Sequence, residues 1–103
     1  MTEFRTGLGW DTHRLVAGRL LILGGARAAS EAGLEGHSDA DVLAHAITDA
    51  ILGAAALGDI GMHFPDSDPR WAGSDSLQFL RHAQDLAAAE GLQVVNVDAT
   101  VVL

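Results

Sequence analysis

The stretch that decides the fold is SDADVLAHAITDAILGAAA, residues 38–56. Its apolar side chains recur at the spacing of one helix face, which predicts a long helix that packs one side against a core. The residues of this predicted core face are Leu43, Ile47, Ala50, Ile51 and Ala54.

The same stretch carries a polar column on the opposite face. Asp41, His45 and Asp49 follow one another at steps of four residues, so they stack along one side of the predicted helix. Ser38 and Asp39 precede them and are good residues to begin a helix, with Asp41 adding negative charge to the first turn. The helix therefore presents one face to a core and another to polar partners.

The rest of the chain reads as strands, loops and a second helix. Residues 4–10, 20–23 and 94–103 are predicted strands, and residues 27–36 a loop or short edge strand. A long connection, rich in Gly and Pro, covers residues 58–73 and is predicted to be a functional loop. A second helix begins at Ser74, Asp75 and Ser76, and Gly91 ends it after about Glu90. Its predicted core stripe is Leu77, Leu80, Ala83, Ala87 and Ala88.

This order of elements predicts an α/β fold, a two-layer sandwich in which a mixed β-sheet carries helices packed on one face. The length of 103 residues and the lack of a linker predict one domain over residues 1–103. Residues 96–103 form an apolar strand pattern with no polar tail, so we expect this domain to be part of a longer subunit.

Composition narrows the functional classes. The formal charge is -8, and all 6 basic residues are Arg, so we expect no nucleic-acid partner and no binding to anionic membranes. No Cys is present, so a transition-metal site must use His and carboxylate ligands. The start of the sequence lacks the pattern of a secretory signal, and no apolar run would span a bilayer, which makes a cytoplasmic location the expectation.

Two imidazoles and one carboxylate form the main candidate site. Asp11 and His13 are two residues apart in an extended segment, so their side chains point the same way. With His45 on the polar helix face they make a three-ligand set with an open position, which is typical of a catalytic zinc site. Taken singly, Asp11 and His13 are more often a polar pair in a surface loop than ligands, and His45 is more often a structural histidine. Asp49 is either the acceptor that orients His45 or an exposed helix charge.

Two further groups of residues suggest an anionic, hydroxyl-bearing ligand. His37 and Ser38 stand at the predicted helix start, where free N–H groups suit a phosphate, although Ser38 is also a plain helix cap. Asp59, Asp66 and Asp68 lie in the long loop, either to bind a polyol or as part of a solvated turn. We interpret the other large polar or aromatic side chains there and near the start as structural, namely His63, Trp71 and Trp10.

The motifs, in order, resemble the family of 2-C-methyl-D-erythritol 2,4-cyclodiphosphate synthases. The matching pieces are GWDTH at 9–13, ILGG at 22–25, GHSDADV at 36–42, LGDIG at 57–61 and FPDSDP at 64–69. Each piece alone is weak, but the ordered set is specific and runs from Phe4 to the last predicted strand. Trp10 stands where Phe is usual, and Ala40 where Gly is common.

The resemblance implies a homotrimer of α/β sandwiches with active sites between subunits. It implies intramolecular phosphoryl transfer in non-mevalonate isoprenoid biosynthesis, in which 4-diphosphocytidyl-2-C-methyl-D-erythritol 2-phosphate becomes the 2,4-cyclodiphosphate and CMP leaves. Zinc or another divalent cation would bind Asp11, His13 and His45, and His37 would stabilise the transition state. Substrate contacts would come from Asp11, His13, His37, Ser38, Asp59, Ile60, Gly61, Phe64, Pro65, Asp66, Ser67 and Asp68.

This chain departs from the family in one large respect. Family members continue past the last strand here, and that later part supplies the cytidine pocket and a ligand for magnesium or manganese. The alternative function is therefore a catalytically incomplete zinc-binding fragment. An unrelated metal-dependent phosphohydrolase is a weaker alternative, because His37 is followed by Ser38 rather than Asp.

Overall fold

The structure is a computed structural model and describes residues 3–103. Its strands are β1 (Leu15–Ala17), β2 (Leu21–Leu23), β3 (Ala26–Ala28) and β4 (Ala32–Leu34). Its helices are α1 (Val42–Ala54), α2 (Ile60–His63) and α3 (Leu77–Ala89), with a 3-10 turn at Pro69–Trp71 between the last two. Among the residues described, no helix has the length and apolar character needed to cross a membrane.

The four strands form two antiparallel ribbons. β1 pairs with β4, with Leu15 opposite Leu34, and β2 pairs with β3 across a tight turn. That turn is made by Gly24 and Gly25, whose φ angles of 60° and 80° suit the two-residue hairpin turn that favours glycine. The α/β class is confirmed, but the ribbons replace the mixed sheet that was predicted. Parallel pairing requires a crossover of about a dozen residues or more, and the connections between consecutive strands here are far shorter.

The predicted strands at 4–10 and 94–103 are wrong as strands. Neither segment joins a strand ladder, and residues 4–10 instead lie along α1. A side chain at Gly7 or Gly9 would overlap the backbone carbonyl oxygens of Ala50 and Ala46, so glycine permits this close approach. In the second segment Val95 and Val102 are exposed. An apolar pattern forms a strand only where another strand accepts its backbone hydrogen bonds.

Helix α1 begins four residues later than predicted. Ala40 has a φ of 58°, in the left-handed region, and this conformation interrupts the helix before Asp41. Asp41 is the true N-cap, and its carboxylate accepts a hydrogen bond from the Ala44 N–H at 3.0 Å. Ser38 and Asp39 are consequently released from capping and lie in the loop before the helix.

Helix α3 matches its prediction closely and packs against α1. It ends where Gly91 adopts a φ of 77°, as expected for a glycine stop. The shared core consists of Ile51, Leu52, Ala55, Ala83 and Ala87. Of the predicted stripe, Ala83 and Ala87 are buried, whereas Ala88 is exposed. Phe79, which was not predicted as a core residue, is buried and lies beside the site described below.

Candidate metal site and cleft

The structure brings Asp11, His13 and His45 together. Asp11 and His13 come from the extended segment before β1, and His45 comes from the second turn of α1. One ligand atom from each lies within 4.8 Å of the others. The side chains are 27%, 17% and 12% exposed, so the cluster is shielded but reachable from solvent.

The hydrogen bonds of His13 determine which ring nitrogen carries the proton. Its Nδ1 lies 2.8 Å from the backbone carbonyl oxygen of Glu35, and a carbonyl only accepts, so Nδ1 is the donor. In the neutral ring Nε2 therefore presents a lone pair, and it faces the Asp11 Oδ2 atom at 2.8 Å.

His45 shows the same arrangement with its nitrogens exchanged. Its Nε2 lies 2.7 Å from the Ser76 hydroxyl oxygen, while its Nδ1 faces the Asp11 Oδ2 atom at 3.2 Å. Burial alone would raise the pKa of the Asp11 carboxyl, but the hydrogen bonds and charge that His45 and His13 supply when protonated hold that pKa below its ordinary value. The carboxylate is thus ionised, and when both rings are neutral the electron pairs of three side chains meet at one point.

Electron pairs that face one another repel unless positive charge lies between them. Extra protons on the two rings, or one bound metal ion, would supply that charge. An oxygen and two imidazole nitrogens suit zinc and similar divalent ions, and the outer nitrogen of His13 is fixed by a backbone acceptor, as in many metal sites. The residues present therefore fit the metal that the motif predicts.

Asp49 does not orient His45. Its carboxylate accepts a hydrogen bond from the Ile60 N–H at 2.7 Å and so fastens the start of α2 to α1. Burial, together with the nearby charges of Asp59 and Asp11, raises the pKa of Asp49 in spite of this bond. The four-residue step from His45 to Asp49 indicated proximity correctly, but the Ile60 N–H, which lies far along the chain, binds the carboxylate instead.

The predicted anion site at the helix start also differs from the structure. The first turn of α1 already receives the Asp41 carboxylate, which is fully buried and accepts further bonds from the Gly24 and Gly25 N–H groups at 2.9 and 2.7 Å. His37 lies outside the helix, and its Nε2 donates to the Asp68 carbonyl oxygen at 2.7 Å. Ser38 is buried, with its hydroxyl turned towards His45.

A cleft of about 430 Å³ opens beside the three-ligand cluster. His37 and Ser38 line it on one side, and Phe79 and Trp71 on another. From the long loop it receives Ile60, Gly61, Phe64, Pro65 and Asp66. Most of the predicted substrate contacts therefore share one cavity with the candidate metal site.

The remaining predicted loop contacts have other partners. Asp59 caps α2 by accepting from the Met62 N–H, and Asp68 caps the 3-10 turn and pairs with the Arg70 guanidinium. That pairing lowers the pKa of Asp68. Ser67 does not line the cleft.

The side chains interpreted as structural have mixed outcomes. His63 is confirmed as structural, because its Nε2 donates to the Leu57 carbonyl oxygen at 2.8 Å. Trp71 packs edge-on against Phe64, as predicted, and also lines the cleft. The packing role predicted for Trp10 is wrong for the described residues, since its side chain is 76% exposed.

Three residues with contacts at the site were not identified from the sequence. Ser76 and Asp39 form hydrogen bonds around His45, and Arg19 donates to the carbonyl oxygens of Gly36 and Ser38, holding the loop that carries His37. Ser76 and Asp39 looked like ordinary helix caps. Arg19 is separated from its acceptors by a whole hairpin, so no local pattern marks it.

Fold and site together define a class, a small α/β protein with a candidate Asp/His/His cation site in a cleft lined by both polar and aromatic side chains. The chain belongs to the YgbB family, whose family model matches residues 4–103. It is 74% identical over 103 residues to 2-C-methyl-D-erythritol 2,4-cyclodiphosphate synthase of Solibacter usitatus, covering 100% of this chain and 65% of that relative. The synthase of Geobacter sulfurreducens is 63% identical over 98 residues, covering 95% and 62%.

A solved structure supports the same relationship. It is 2C-methyl-D-erythritol-2,4-cyclodiphosphate synthase in a CDP-bound form, with a TM-score of 0.78 and 53% identity over 84% of this chain and 58% of that one. The chain thus spans slightly less than two thirds of the length of these relatives.

Proposed function

We propose that this chain supplies the metal and phosphate site for cyclisation of 4-diphosphocytidyl-2-C-methyl-D-erythritol 2-phosphate. The 2-phosphate attacks the β-phosphorus of the diphosphate, the bond to the cytidylyl phosphate breaks, and CMP leaves as the 2,4-cyclodiphosphate forms. The observation that carries the proposal is the meeting of Asp11, His13 and His45 at one edge of the cleft. The names of the relatives support it.

The cleft residues suit a reaction that depends on positioning and charge neutralisation. A divalent cation at the three-ligand cluster would neutralise phosphate charge, which matters in a chain of charge -8. We assign to His37 the stabilisation of charge in the transition state and to Ser38 a phosphate contact. The loop residues Asp59, Ile60, Gly61, Phe64, Pro65, Asp66, Ser67 and Asp68 hold the methylerythritol part in this proposal.

Several finer features belong to the same proposal. Residues 1–103 act as one domain of a cytoplasmic homotrimer, the cation at Asp11, His13 and His45 is zinc, and a second ion, magnesium or manganese, binds through residues outside this sequence. Light scattering on the purified chain tests the trimer by its mass. A monomeric mass would contradict that part without affecting the metal site.

Metal analysis and turnover test the core of the proposal. We expect about one zinc per chain, lost in His45→Ala because that change removes one of three ligands. The matched control is His82→Ala, an exposed histidine outside the cluster. Stoichiometric zinc that survives His45→Ala would contradict the ligand assignment.

The second candidate is a chain that binds zinc without turnover. The specific observation in its favour is that the lining of the described cleft comes from residues up to Phe79 only, in a chain that spans 65% of its relative. Release of CMP from the diphosphocytidyl substrate separates the two. Zinc binding with no CMP released favours the second candidate, and zinc-dependent release that His37→Ala suppresses favours the first.

A further inference from the structure

The hydroxyl of Ser76 lies at the start of α3 but does not cap that helix. A serine in this position normally accepts a hydrogen bond from an N–H of the first turn, and Ser76 makes no such bond. The Leu77 N–H is bound instead by the Asp75 carboxylate at 3.0 Å. Ser76 is fully buried, so its hydroxyl must find its partners inside the protein.

Those partners fix the direction in which the hydroxyl points. Ser76 Oγ lies 2.5 Å from the Asp39 Oδ1 atom, and an ionised carboxylate only accepts, so Ser76 donates its single proton there. Asp39 is itself held, because it also accepts from the backbone N–H groups of Ser76 and Asp41 at 3.0 and 3.1 Å. The Ser76 oxygen is left as an acceptor towards His45 Nε2 at 2.7 Å.

This chain of bonds determines the state of the His45 ring. With Nε2 donating to Ser76, the neutral ring carries its proton on Nε2 and turns the Nδ1 lone pair towards Asp11. The Ser38 hydroxyl lies 3.2 Å from both the Ser76 oxygen and His45 Nε2, so it adds a longer contact to the same network. A ring with the opposite tautomer would offer no lone pair to the cation site.

We propose that Ser76 and Asp39 are positioning residues for His45, selecting the tautomer and ring orientation that let Nδ1 bind a metal ion. The inference rests on the proposed metal site and adds to it the hydrogen bonds that connect Asp39 and Ser76 to His45. Groups that orient a metal-binding histidine commonly change metal affinity about 10- to 100-fold when removed.

The test reads the tautomer directly in the metal-free protein. In a long-range proton–nitrogen NMR spectrum, at a pH where the imidazoles are neutral, we expect the Nε2–H pattern for His45. Ser76→Ala should convert it to a mixture of tautomers and weaken Zn²⁺ binding by about 10- to 100-fold, measured by competition with a chelating dye. Ser76→Thr, which keeps the hydroxyl, should restore both.

Two further variants make the result decisive. Ser74→Ala is the matched control, since Ser74 precedes the same helix and, among the described residues, its hydroxyl donates to the Arg70 carbonyl oxygen and not to the His45 network. Asp39→Asn keeps the side-chain size but weakens the acceptor that fixes Ser76, so it should change the tautomer and the affinity in the same direction as Ser76→Ala. If Ser76→Ala does not fold, the Asp39→Asn spectrum decides.

Retention of the Nε2–H tautomer and of wild-type Zn²⁺ affinity in Ser76→Ala and Asp39→Asn would overturn the inference. Failure of the wild-type chain to bind Zn²⁺ would instead contradict the proposed metal site. Because the tautomer is measured without metal, the two failures are distinguishable.

Discussion

Asp41 shows how one buried carboxylate can join three parts of the chain. It accepts from the Ala44 N–H in α1 and from the Gly24 and Gly25 N–H groups in the β2–β3 turn. In Asp41→Asn the side-chain amide would place N–H groups against one or more of these donors. Because each unsatisfied buried donor costs about 1–3 kcal/mol, we expect a loss of about 2–4 kcal/mol in the free energy of unfolding.

Urea denaturation measures this loss, and Asp85→Asn on the exposed face of α3 is the matched control. An Asp41→Asn protein as stable as Asp85→Asn would show that the amide is accommodated and that the three donors find other acceptors.

At the same scale, the sequence identifies residue types better than residue partners. The two-residue step from Asp11 to His13 predicted that these side chains share a direction. Their grouping with His45 was inferred from ligand chemistry and from the family resemblance, since spacing along the chain does not relate His45 to the other two. Asp41, Ser76 and Asp39 all occupy positions typical of caps, yet only Asp41 caps a helix with its side chain. Their acceptors and donors come from distant segments, and propensity does not encode such pairings.

At the scale of elements, the contact between α1 and α2 yields a prediction about pH. Burial first, and then the charges of Asp59 and Asp11, raise the pKa of Asp49 above its ordinary 3.8. The ionised carboxylate therefore costs stability above its folded pKa, and protonation removes that cost as the pH falls. Asp49→Asn keeps an oxygen for the Ile60 N–H and carries no charge, so it should equal or exceed the wild type in stability at neutral pH.

Urea midpoints at neutral pH and in acid check this sign. The advantage of Asp49→Asn should shrink as the pH falls through the folded pKa of Asp49 towards and below 3.8. A variant clearly less stable than the wild type at neutral pH would mean that the Ile60 N–H requires a charged acceptor.

The elements that were predicted correctly are those that local interactions define. Helices α1 and α3 were predictable because the 3.6-residue period and the glycine stop are local features. The end segments, 4–10 and 94–103, were predicted as strands and are not strands in the described chain, since a strand depends on a partner that its own pattern does not specify. The left-handed conformation of Ala40 shortens α1. The sequence did not predict this, because a non-glycine residue in that conformation does not alter the apolar period.

At the scale of the whole molecule, a bound cation would tie the segment before β1 to α1. Asp11 and His13 precede the first ribbon, while His45 stands on the helix that carries the core, so occupancy of the site links two distant parts of the fold.

A ligand present at about 100 times its dissociation constant stabilises the native state by about 2.7 kcal/mol. For a domain of about 100 residues, each 1 kcal/mol shifts the melting temperature by about 4–8 °C. We therefore expect Zn²⁺ to raise the melting temperature by about 10–20 °C and a chelator to reverse the rise, as measured by circular dichroism. In His45→Ala the chelator should have little effect, whatever the variant's own stability, and in His82→Ala its effect should remain. Equal chelator effects in His45→Ala and the wild type would place the stabilising cation elsewhere in the protein.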